Sequence, residues 1–124
     1  MSIEVTAFFT AILALVQIFF TMRVIKVRFK KNISLGDGGD SDLLKRIRSH
    51  ANFTETVPIA LLLLLLNELS GLSTTWLYAL GSILVIARLS HYAGVALNVP
   101  ILFRSAGMVA TIGVIVVMAI MLLI

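Results

Sequence analysis

Arg46 to Glu68 read RIRSHANFTETVPIALLLLLLNE. The six leucines from Leu61 to Leu66 suit lipid, yet Arg48, Asn52 and Glu55 stand just ahead of them. Their spacing of i, i+4 and i+7 makes one stripe on a helix, with Thr56 beside it. The cleanly apolar run Val57 to Leu66 is ten residues long. Crossing about 30 Å of hydrocarbon takes roughly 20 residues. A spanning helix here must therefore start near Leu43 or Leu44 and carry its polar groups inward, where they face protein or water rather than lipid.

Composition agrees that the solvent is a membrane. The chain of 124 residues is 60% hydrophobic and 13% charged, with a mean hydropathy of +1.08. Val5 to Met22, Leu69 to Ala87 and Ser105 to Ile124 contain no charged residue. Together with the helix through Arg48 to Leu66 they predict an all-α integral membrane four-helix bundle, one domain over residues 1–124. The first segment runs into RVIKVRFKK with no small-residue cleavage site, so it is read as a retained helix rather than a removed signal peptide. The chain has no cysteine, which excludes disulfides, thiolate catalysis by the protein and Cys-ligated metal. His50 and His91 lack the carboxylates to complete a metal site, and none is expected.

Eight of the ten Lys and Arg residues lie between Arg23 and Arg48, and none lies in the loop from Asn67 to Thr75. That bias places the first loop in the cytoplasm and both termini outside it. The net charge of +4 is thus read as topological, and nucleic acid as a partner is excluded. Within that loop, SLGDGGDSD (Ser34 to Asp42) supplies glycines for a reversal, and Asp40 or Ser41 to cap the second helix. Ser73 or Thr74 would cap the third helix, and Asn98 to Pro100 would end it. A recurrence of small residues in the last two helices (Gly81, Ala87, Gly94, Gly107, Ala110, Gly113) favours close helix contact.

The third helix carries Arg88 and His91 one turn apart. Glu55 and Arg88 lie at matching depth on neighbouring antiparallel helices, roughly 15 Å from the same side, which predicts that they pair. Arg48, Arg88 and Arg104 then line a cleft open to the cytoplasm, suited to a small polyanionic ligand carrying an amide and an ammonium group. An oligomer with polar clefts between subunits is the economical way to hide so many polar groups.

These motifs together resemble the membrane-associated proteins in eicosanoid and glutathione metabolism, the MAPEG family. The likeness is strongest to its small bacterial members, which are similar to microsomal glutathione transferases. It rests on the basic end of the first helix, SLGDGG, Arg48-x3-Asn52-x2-Glu55 with Pro58, Ala87-Arg88-x2-His91 and Arg104-x2-Gly107. The resemblance implies a homotrimer in a bacterial inner membrane, with glutathione held between subunits as a co-substrate. It places Arg48, Asn52, Glu55, Arg88 and His91 at glutathione-contacting positions and makes Arg104 the catalytic residue that stabilises the thiolate. The substrates implied are lipophilic electrophiles or lipid hydroperoxides, reached through membrane lipid. Two positions depart from the leukotriene-forming member: Thr56 and His91 stand where it has tyrosines, and Tyr92 points about 100° away from His91. A non-catalytic lipid or ligand binder, or a structural membrane protein of the same fold, is the alternative reading.

Overall fold

The computed structural model describes residues 2–124 and contains four helices, α1 (Glu4–Lys31), α2 (Ser41–Leu69), α3 (Thr74–Ala96) and α4 (Leu102–Leu123). Each is long and apolar enough to cross a membrane. The chain is an integral membrane four-helix bundle. With 28 residues, α1 is roughly 42 Å long, about 12 Å more than the hydrocarbon it crosses, so its basic last turns stand in the headgroup region.

The first loop is built as its composition suggests. Asn32 ends α1 in the left-handed conformation (φ 58°), and the amides of Asn32 and Ile33 both return to the Arg28 carbonyl. Gly38 has φ +57°, and a Cβ there would come within 3.0 Å of the Ile33 side chain, so glycine is required twice over. Asp40 caps α2: one carboxylate oxygen accepts the Leu43 N–H at 2.8 Å, and the other takes the Lys31 ammonium at 2.6 Å. That Lys31 hydrogen bond, with the Leu43 amide, holds the Asp40 carboxyl below its usual value of 3.8. Helix α2 starts at Ser41, two or three residues earlier than hydropathy suggests, because the cap rather than the first leucine sets its origin. It continues through Pro58. Ser73 precedes α3 as anticipated, but its side chain makes no capping bond. Residues 97–101 form the reversal into α4.

Helices α1 and α4 each pack on both α2 and α3, which also pack on each other; among the described residues α1 and α4 do not meet. Phe9, Leu13 and Phe20 of α1, Phe53, Val57 and Leu64 of α2, Leu77 and Leu84 of α3, and Val114 and Met118 of α4 form the core. Lipid tails are as apolar as this core, so close packing and polar ties must hold the helices together. At Gly107 α4 comes close to α3: a Cβ there would lie 2.5 Å from the Ala87 carbonyl oxygen and the His91 nitrogen. Gly94 similarly faces the Arg104 backbone, and Gly81 makes room for the Phe9 ring, whereas Gly113 faces open space. Polar ties add register. Asn67 Nδ2 donates to the Met118 carbonyl at 3.0 Å, and the two Glu68 carboxylate oxygens accept the amides of Val5 and Thr6 at 2.9 and 2.7 Å.

Candidate functional site

Gly107 brings α4 against α3, and the next turn of α4 then places Thr111 beside Arg88. Arg88 is 1% exposed. Its Nη2 donates to Asn52 Oδ1 of α2 at 2.5 Å and to His91 Nδ1 at 3.2 Å, and its Nη1 donates to Thr111 Oγ1 at 3.3 Å. Thr111 passes its own proton to the Gly107 carbonyl at 2.7 Å, leaving a lone pair for the arginine. A guanidinium only donates, so His91 Nδ1 accepts and the ring is neutral with its proton on Nε2. Arg88 Nε is buried without a hydrogen-bond partner. Every group that solvates this charge is a neutral dipole, and among the described residues no carboxylate lies within ion-pair distance of it.

The predicted Glu55–Arg88 pair is therefore corrected: the partner is Asn52, one turn earlier. Helical geometry explains the difference. Phe53, Val57, Ala60 and Leu64 define the buried face of α2. At 100° per residue Asn52 stands about 100° from Phe53, and Glu55 about 160° away from it. Asn52 is half-buried and reaches the edge of α3, while Glu55 is exposed and makes no hydrogen bond or ion pair among the described residues. Arg48 and Arg104 are likewise exposed, and neither forms an ion pair among the described residues. The six predicted site residues thus divide into an assembled inner set, Asn52, Arg88 and His91, and an outer set, Arg48, Glu55 and Arg104.

The hydroxyls of Thr56 and Tyr92 are engaged within the chain. Thr56 donates to the Asn52 carbonyl at 2.9 Å. Tyr92 stacks on Phe20 at 4.0 Å, nearly parallel, and its hydroxyl accepts from Arg46 Nη1 at 3.2 Å. Tyr92 thus belongs to the core between α1 and α2 and does not stand in for His91. Two participants escaped the sequence reading. Thr111 was signalled by its place four residues after Gly107, on the face that packs on α3. Arg46 was read as part of a basic run, although it lies seven residues before Phe53 and hence on the buried face. Among the described residues no group of His, Asp and Glu is arranged to hold a metal.

The fold and this cluster define an integral membrane four-helix protein with an arginine buried between helices and no acidic partner among the described residues. The MAPEG family profile matches residues 6–124, and the chain belongs to that family. Two curated relatives carry the name "Inner membrane protein YecN", from Escherichia coli K12 and from E. coli O6:H1. Each is 37% identical to this chain over 90 residues, 73% of this chain and 69% of the relative. They support an integral inner-membrane location.

Proposed function

We propose that the protein binds glutathione and uses it as co-substrate, as a transferase or peroxidase, on hydrophobic electrophiles dissolved in the bilayer. The observation that carries this reading is Arg88, a buried cation held by neutral groups with one buried N–H that has no partner. A ligand carboxylate would supply the missing counter-charge. Asn52 and His91 fix the guanidinium, Arg48 holds a second carboxylate, and Glu55 receives the ligand's ammonium group. Arg104 faces the sulfur and stabilises the thiolate, lowering a thiol pKa that is about 8.5 unperturbed. In transfer, the sulfur lone pair forms the bond to an electrophilic carbon as its leaving group departs, and the thiol proton passes to water. In peroxide reduction, two thiols become a disulfide while the hydroperoxide becomes an alcohol and water.

Membership of the MAPEG family and the outer set of charges support an intersubunit site. Glu55 is the fifteenth of 29 residues in α2, mid-span, and exposed. An unpaired carboxylate against lipid is costly, so a neighbouring subunit of a homotrimer covers it. A monomer mass for the protein–detergent complex would exclude this assembly. The first loop is cytoplasmic and the termini are outside: a cysteine at exposed Leu35 should resist an impermeant thiol reagent in intact cells, and one at Ser2 should react.

The decisive experiment follows thiolate absorbance of bound glutathione against pH. The parent should show a depressed thiol pKa that rises in Arg104→Ala, whereas Arg48→Ala should mainly weaken binding. Binding with an unshifted thiol would favour the non-catalytic ligand binder, a reading supported by the internally committed hydroxyls of Thr56 and Tyr92. Absence of glutathione binding would overturn the transferase and peroxidase readings and leave a lipid binder or a structural membrane protein.

A further inference from the structure

At the loop end of the bundle, α1 and α2 enclose a recess of about 280 Å³ that none of the proposed glutathione residues lines. Five cations border it, Arg23, Lys26, Lys30 and Lys31 of α1 and Arg46 of α2, against the single carboxylate of Asp42. Arg23, Lys26 and Lys30, at i, i+3 and i+7, form one stripe of α1. Lys31 is engaged by Asp40 at 2.6 Å. Arg23, Lys26 and Lys30 have no acid within ion-pair distance among the described residues.

Arg46 distinguishes this recess from a solvated run of surface lysines. It is 9% exposed and anchored through Nη1 to the Tyr92 hydroxyl. Its Nε lies 3.4 Å from Asp42 Oδ1, near enough for charge attraction, yet this buried N–H makes no hydrogen bond. An arginine fixed by an aromatic hydroxyl, with a donor unsatisfied and three free cations beside it, is built to receive an anion with several acceptor oxygens.

The source of that anion is indicated by what lies beneath. From Lys26, at the rim, Met22, Phe19 and Leu15 continue along one side of α1 towards mid-membrane. Their exposures are 55%, 54% and 73%. Leu15 to Lys26 spans roughly 16 Å of helix, about the depth of one leaflet's hydrocarbon. A soluble phosphate would use the recess alone, whereas a phospholipid would use both the recess and the stripe.

We propose that this recess binds the phosphate headgroup of an anionic phospholipid, one per subunit, with an acyl chain lying along Leu15, Phe19 and Met22. The lipid joins α1 to α2 at the membrane surface by bridging Arg46 to the lysines of α1.

The full-length protein in zwitterionic detergent would be titrated with dioctanoyl-phosphatidylglycerol, dioctanoyl-phosphatidylcholine or inorganic phosphate. Thermal midpoint and the number of lipids retained in native mass spectrometry are the readouts. Phosphatidylglycerol should raise the midpoint saturably, with one molecule retained per subunit. Lys26→Gln/Lys30→Gln alters two exposed, unpaired side chains and should fold normally while weakening this response about tenfold. Lys45→Gln, an exposed α2 lysine outside the recess, should leave it intact. Equal stabilisation by phosphatidylcholine, or equal loss in Lys45→Gln and the double variant, would overturn the site. Equal protection by inorganic phosphate would overturn the lipid assignment.

Discussion

Replacing Asn52 with leucine tests whether the buried arginine depends on its neutral neighbours. The change removes the 2.5 Å acceptor of Arg88 Nη2 and leaves the guanidinium, already short of a partner at Nε, with only His91 and Thr111. A hydrogen bond to a charged group contributes about 1.5–3 kcal/mol, and stranding a buried charge costs more than its mean worth, so Asn52→Leu should lose about 3 kcal/mol. Arg88→Met also destabilises, by freeing acceptors, but removes the charge that made Asn52 necessary. The double variant should then be more stable than the sum of the singles by at least about 1 kcal/mol. Glu55→Ala with Arg88→Met should be additive within about 0.5 kcal/mol, since the two side chains do not meet. Reversible unfolding by sodium dodecyl sulfate in mixed micelles, followed by circular dichroism, supplies the free energies. Additivity of the Asn52 and Arg88 changes, or stronger coupling of Glu55 than of Asn52 to Arg88, would refute the assignment.

Gly107→Ala should cost about 1–3 kcal/mol in the same assay, because its methyl meets backbone atoms of Ala87 and His91, while Gly113→Ala should be neutral or slightly stabilising. Tyr92→Phe keeps the stack on Phe20 but strands Arg46 Nη1, and should lose about 1–2 kcal/mol. The Asp40 carboxyl titrates lower in the folded protein than its ordinary 3.8. Its contribution is therefore complete above that ordinary value and disappears as pH falls through the lower folded one. The difference in thermal midpoint between parent and Asp40→Ala should be constant near neutrality and shrink only below about pH 3.8.

Hydropathy made α1, α3 and α4 legible, α2 needed its polar stripe to be read as part of a span, and residue type narrowed its cap to Asp40 or Ser41, of which Asp40 serves. That Arg88 and His91 share one face of α3 was legible too, since a spacing of three residues puts them one turn apart. Partner choice was not. Asn52 and Glu55 differ by only 60° around α2, and which of them meets α3 depends on where Phe53 and Val57 pack. Thr111 and Arg46 were hidden for a related reason, their roles resting on contacts between helices far apart in sequence. The number of subunits in any assembly lies beyond what a single chain's pattern encodes.

Glu68 sits at the opposite end of the α1–α2 hairpin from the loop, and its carboxylate closes on the first amides of α1, more than sixty residues upstream. Lys31 and Asp40 fasten the other end. Both fastenings use only residues up to Glu68, so the first half of the protein carries everything needed to fix its own alignment before α3 has been synthesised. A slip of one residue between the two helices would break the Glu68 contacts, because the carboxylate would face a rotated turn. The hairpin can thus be proofread as it enters the bilayer, and α3 and α4 are laid onto a template whose alignment is already set.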